Sequence, residues 1–292
     1  MSRPLALVAA VFLAALAFTS GCLAGVGEPL GFSIDPIRNP GQVQIRFHQH
    51  REGKWDNEWN STFLASELAG LDVAELNSAV VRPIRFTIAR EAGRIDCKGT
   101  AANQAAHGTC GLTADAAFMA DLGKRGIPQP TEEQTYGLIS LNVHRSLLDA
   151  LAAARYPTPS IENFMALTAV GATPAYIRGL ADAGYHLATL DTLIQFAALK
   201  ITPEFIGSYT RAGYANLRPD QLIQLKAMTI TPDFVAGFER IGYRHLPVET
   251  LVQLKALNVT PEFARAVQQG GALPSPEHLV QLRAVGHDLR KR

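Results

Sequence analysis

His48 and His50 are spaced as a metal pair would be, because alternate residues of a strand share one face. Glu52 and Asp56 follow nearby, but no third ligand completes a set, and an exposed polar strand face explains the same letters. The expectation is therefore no metal and no cofactor. Trp55 and Trp59 flank Asp56-Asn57-Glu58 in an expected hairpin loop, where their rings would either stack on a sugar or peptide or pack over a sheet edge. There is no GxSxG, HExxH, Walker or dinucleotide fingerprint, so no catalytic residues are assigned and the chain is not expected to be an enzyme.

The largest set of candidate binding residues is a series. Gln195, Gln224, Gln253 and Gln281 recur with the cations Lys226, Lys255 and Arg283 two positions beyond the last three. Such a ladder of amides and charges suits a protein or peptide partner, and it also suits an ordinary solvated helix face. The elements that carry it come from a repeat. Thr173-Pro174, Thr202-Pro203, Thr231-Pro232 and Thr260-Pro261 are spaced 29 residues apart. Thr is a good N-cap, Pro loses no needed donor at the first helical position, and Glu204, Asp233 and Glu262 meet the positive end of the helix dipole.

Gly184-Tyr185, Gly213-Tyr214 and Gly242-Tyr243 mark the helix stops, and a second start leads into Leu222-Ile223-Gln224-Leu225 and its equivalents. Each unit is two short helices, too short to stand alone, so the units must stack. Leu193, Phe196, Phe205, Tyr209, Leu222, Leu225, Phe234 and Phe238 have the helical spacing of a continuous core.

Residues 1 to 21 combine Arg3, an apolar run and small residues, which reads as a secretory signal. Thr19-Ser20-Gly21-Cys22 resembles the bacterial lipobox, with Cys22 as the lipidation site; Thr19 replaces the usual Leu and leaves cleavage after Ala24 open. The expectation is export, as a periplasmic or outer-membrane lipoprotein held to the membrane by its lipid only, or secretion in soluble form. Setting Cys22 aside leaves Cys97 and Cys110, an even pair in an oxidising compartment and an expected structural disulfide contributing about 3 kcal/mol. A formal charge of +1 gives no footprint for nucleic acid.

Residues 22 to 41, rich in Gly and Pro, read as a tether. Val43, Ile45 and Phe47, then Ile84, Phe86 and Ile88, alternate with polar residues as half-buried strands do. The strand from Ile84 turns at Glu91-Ala92-Gly93, and a small-residue loop from Gly99 to Gly108 returns the chain to Cys110. Two helices follow, Thr113 to Lys124 and a longer one from the Thr131 capping box through Leu151. The fold class is thus α+β: a disulfide-linked antiparallel β-rich domain with two helices over 42–155, then an α-helical repeat domain over 156–292.

Arg90-Glu91-Ala92-Gly93, Gly108-Thr109-Cys110 with Ala116-Ala117-Phe118, and the Thr-Pro-Glu-Phe and Gly-Tyr repeats resemble a family of bacterial extracytoplasmic repeat regions. These occur alone or appended to membrane metallopeptidases of the β-lactam-sensing transducer type. The resemblance covers most of residues 80 to 286, and the peptidase motif is missing here. It implies an exported sensing or docking module with a protein or peptide partner. The alternative is an envelope protein that binds a carbohydrate or other small ligand through its N-terminal domain.

Overall fold

The computed structural model describes residues 30–35, 41–49, 57–268 and 272–286. Cys22, His50 and Trp55 lie outside them. The fold is α+β. Six strands, β1 (Leu30–Ile34), β2 (Gln42–Gln49), β3 (Asn57–Leu64), β4 (Arg82–Arg90), β5 (Gly93–Ala102) and β6 (Ala105–Ala114), form one antiparallel sheet in the order β3-β2-β1-β6-β5-β4. A short helix, α1 (Val73–Leu76), lies between β3 and β4.

Three expectations fail in this region. Asn57, Glu58 and Trp59, expected in a hairpin loop, begin β3 and pair with Gln49, His48 and Phe47 of β2. The proposed tether contains β1, which sits in the middle of the sheet between β2 and β6. Five residues offer too short an alternation to stand out from the Gly- and Pro-rich stretch around them. The expected loop from Gly99 to Gly108 is instead the paired ends of β5 and β6, joined by a two-residue turn at Asn103-Gln104 with φ of 53° and 66°. Those glycines face inward, opposite each other and next to Phe32, where a Cβ on Gly108 would sit 2.7 Å from the ring. The paired backbone leaves no room either: a Cβ on Gly99 would collide with the His107 carbonyl oxygen and one on Gly108 with that of Lys98. The Phe32 ring meets Phe86 edge-on at 5.2 Å.

Cys97 and Cys110 are directly paired across β5 and β6, 4.1 Å apart at Cα, and form the expected disulfide on the buried face. The sheet is curled. From the end of β3 the chain needs only Ala65 to Leu68 to reach Ala69, which pairs with Thr87 on the far edge of β4. At about 3.3 Å per residue, those five steps bring the two edges within roughly 17 Å. An ion pair of 2.7 Å between Glu67 and Arg90 fastens the link.

Among the described residues twelve helices follow: α2 (Ala116–Lys124), α3 (Glu132–Ser140), α4 (Arg145–Ala153), α5 (Ile161–Ala169), α6 (Pro174–Asp182), α7 (Leu190–Ala198), α8 (Pro203–Arg211), α9 (Pro219–Ala227), α10 (Pro232–Glu239), α11 (Val248–Ala256), α12 (Pro261–Val267) and α13 (Pro276–Ala284). The expected long helix over 131–151 is two, because Asn142 takes a left-handed turn at φ 54° and the Val143 amide bonds back to Leu138. Asp115, not Thr113, caps α2.

These corrections place the start of the array earlier than residue 156. The caps Asp115, His144, Thr173, Thr202, Thr231 and Thr260 are all 29 residues apart, as are Thr131, Ser160, Thr189, Arg218 and Pro247, with Ser275 28 later. The first two units hid because Asp and His stand where later units have Thr-Pro. Odd helices stack on odd and even on even, giving two layers around a core that includes Phe164, Leu193, Leu222, Leu251 and Leu279.

The sheet and the array meet at Tyr136 of α3 and Glu91 of the β4–β5 turn. Tyr136 packs on Phe47 and Trp59 and meets Ser61 through its hydroxyl. Glu91 accepts the Arg145 amide at 3.0 Å and so caps α4, whose own cap residue His144 makes no cap bond. Partial burial pushes the Glu91 carboxyl up, but the Arg145 amide and the His144 ring outweigh it and hold it below the usual range.

Candidate binding face of the helical array

Each Thr-Pro cap works as the sequence implies. The hydroxyls of Thr173, Thr202, Thr231 and Thr260 accept the amides of Tyr176, Phe205, Phe234 and Phe263 at 3.1 to 3.3 Å. Where glycine is absent from a stop, Asn142, Lys200, Thr229 and Asn258 take the left-handed conformation themselves. The helices start and stop within nine residues, which leaves every odd helix the same short outer surface.

That surface is a set of rungs at i, i+4 and i+7. They are Asp191-Gln195-Ala198, Asp220-Gln224-Ala227, Glu249-Gln253-Ala256 and Glu277-Gln281-Ala284, and every one of these residues is exposed. Each rung carries an acid in the first turn, an amide in the middle and a methyl at the end. None of the four glutamine amides has a side-chain partner among the described residues.

The cations occupy a different side. Gln224 and Lys226 are two residues apart on α9 and diverge by about 200° around the helix. Lys226 lies over the Phe205 ring at 4.7 Å, Lys255 over Phe234 at 5.1 Å and Arg283 over Phe263 at 5.0 Å. Phe205 and Phe234 are therefore half-buried rim residues, not the full core residues expected. The spacing of 21 residues from ring to lysine was available in the sequence, but only the stacking of units makes it a contact.

Polar groups in the first turns of the odd helices, the rung acids Asp220 and Glu249 among them, are taken up within and between units. The Gln134 amide donates to Glu162 at 2.6 Å and the Gln221 amide to Glu249 at 3.2 Å, while Arg218 holds Asp220 and reaches Glu249. A tyrosine series does the same underneath. The hydroxyls of Tyr185, Tyr214 and Tyr243 donate to the carbonyls of Leu217, Leu246 and Pro274 in the next unit. Against that background the glutamine series stands out as polar groups with no structural use.

Trp59 is half-buried against Tyr136, with ring centres 5.0 Å apart, so its ring serves the junction between sheet and array. His48 is exposed and its ring covers Gly31, where a Cβ would collide with it. Among the described residues no three side chains of His, Cys, Asp or Glu are grouped to hold a metal ion. No described helix is long and apolar enough to cross a membrane. No family model matches this chain, and no curated protein matches it.

Proposed function

We propose that this chain is an exported, non-catalytic interaction module whose helical array binds an extended peptide segment of a partner protein. The observation that carries this reading is the row of four exposed glutamine amides, one in each of the last four units, with no side-chain partner among the described residues. Stacked helices lie about 8–10 Å apart. An extended polyproline-type chain advances about 3.1 Å per residue, so every third residue would meet one glutamine. A primary amide offers both a donor and an acceptor, which is what an exposed peptide backbone requires. The terminal alanines leave room for the bound chain, and Asp191 and Glu277, which pair with no cation among the described residues, favour a partner that brings donors or positive charge. Export and lipid attachment rest on the pattern ending at Cys22.

Selection of displayed peptides on the whole protein tests this. Enriched sequences with a three-residue period are expected, and replacing Gln224 and Gln253 with Ala should weaken the best of them about tenfold or more, at about 1 kcal/mol per hydrogen bond. Peptides that bind the doubly substituted protein equally well would place the site elsewhere.

A further inference from the structure

The outer face of the sheet holds a groove that the array does not use. It measures about 850 Å³, is floored by β4, β5 and β6, and is walled by Ala69 and Gly70. Gly70, at φ +91°, lets that wall run close to β4. One row of residues crosses the floor. Arg85 of β4 stands directly opposite Lys98 of β5, and Lys98 opposite Thr109 of β6.

Like charges placed directly opposite across strands are destabilising. Arg85 and Lys98 are both exposed, and neither side chain has an ion-pair or hydrogen-bond partner among the described residues. Three other cations on the sheet are matched by acids, Arg46 with Asp35 and Glu58, Arg90 with Glu67, and Arg94 with Asp96, while Arg82 at the start of β4 donates to Ser78. Asp96 is the acid of the next row and does not neutralise the pair. It already accepts the Thr87 hydroxyl at 2.8 Å and holds Arg94 at 2.9 Å. Beyond it, Gly111 has open space where a side chain would stand.

From this we infer that the groove binds a compact ligand carrying adjacent oxyanion oxygens, a phosphoryl group or a dicarboxylate. The Arg85 guanidinium offers a planar fork, the Lys98 ammonium a second charge and the Thr109 hydroxyl a donor, while bare Gly111 leaves room for the rest of the ligand. The site is independent of the glutamine rungs.

Calorimetric titration of the full chain with pyrophosphate and, separately, with succinate tests it. Saturable binding of one ligand per chain is expected for at least one probe, weakened about tenfold or more by Arg85→Gln or by Lys98→Gln, as loss of a charge-assisted hydrogen bond implies. Lys226→Gln, which changes a cation of the array, should leave it unchanged. Pyrophosphate alone would identify a phosphoryl ligand, and succinate alone a carboxylate. Circular dichroism shows whether each variant is folded, and Asp96→Asn, which removes a negative charge without removing a donor, should tighten binding. Absence of saturable binding by either probe, or unchanged affinity in the folded Arg85→Gln and Lys98→Gln variants, overturns the site.

Discussion

The sheet and the array solve the same problem, a dry interior, by opposite means. In the sheet each inward residue is unique. Phe32 fits because Gly108 faces it, Cys97 is bonded to Cys110, and the end of β3 is tied to the far edge through Ala69. In the array one solution is copied, with a threonine cap, a tyrosine donating to the next unit and a cation over a phenylalanine. A structure of the first kind fails as a whole. One of the second kind fails locally, because each unit touches only its neighbours.

Phe32→Ala and Phe196→Ala should each cost about 3–5 kcal/mol, and they test that difference most severely. Backbone hydrogen exchange is expected to show all six strands losing protection together in the first variant, and only the helices around α7 in the second. Protection lost in the strands of the Phe196 variant would mean that the two regions form one cooperative unit.

Next in size is a steric test inside the array. A Cβ on Gly237 would lie 2.7 Å from Pro261 of the next unit, whereas one on Gly207 would meet only the tip of Arg211 at 3.5 Å. Gly237→Ala should lower stability by about 1–3 kcal/mol in thermal denaturation. Gly207→Ala should be neutral or stabilising by up to about 1 kcal/mol. Equal effects would deny that the proline-to-glycine approach sets the spacing of the units.

Alkali should separate the regions chemically, since all seven tyrosines lie at Tyr136 or beyond. Burial pushes the Tyr209 and Tyr214 hydroxyls up from 10.0 to about 12. A raised folded value means that the neutral form is favoured by folding. The stability is complete below pH 10 and is lost as the pH rises towards 12. Tyr214→Phe, which also removes the bond to the Leu246 carbonyl, should cost about 1 kcal/mol at neutral pH and flatten part of that fall. A sheet whose exchange followed the same alkaline curve would contradict the assignment. The smallest effect belongs to Lys226→Gln, which removes one exposed cation–π contact worth about 0.5–1 kcal/mol.

Legibility in the sequence divides along the same line. The array could be read because its signals are local and repeated: a threonine followed by a proline announces a helix four times over, three times with an acid next in line. Its first units escaped because Asp115 and His144 carry the same positions in different letters, and α4 takes its cap from Glu91, distant in sequence. In the sheet the alternation of β2 and β4 and the disulfide were visible, but β3 was not, nor was β1. Its placement depends on partners on both sides rather than on its own letters. The glutamine rungs were recognisable as a series, while their separation from the cations needed the helix geometry. Nothing in the sequence pointed to Arg85 and Lys98 as neighbours, because only the strand register brings them together.

The central position of β1 also decides how the molecule carries load. Leu30 begins β1 opposite Cys110, close to where β6 hands the chain on to α2, so the amino end and the array leave the seam between β1 and β6 on the same side. Tension between the two would open that seam like a zip, one residue pair after another from Leu30 and Cys110 onwards. It would divide the sheet into two three-stranded leaves. The covalent bridge, which ties β5 to β6, would hold one leaf shut and offer the seam no resistance. Single-molecule pulling from residue 30 against the array should therefore meet a low-force first step of the same height in oxidised and reduced protein.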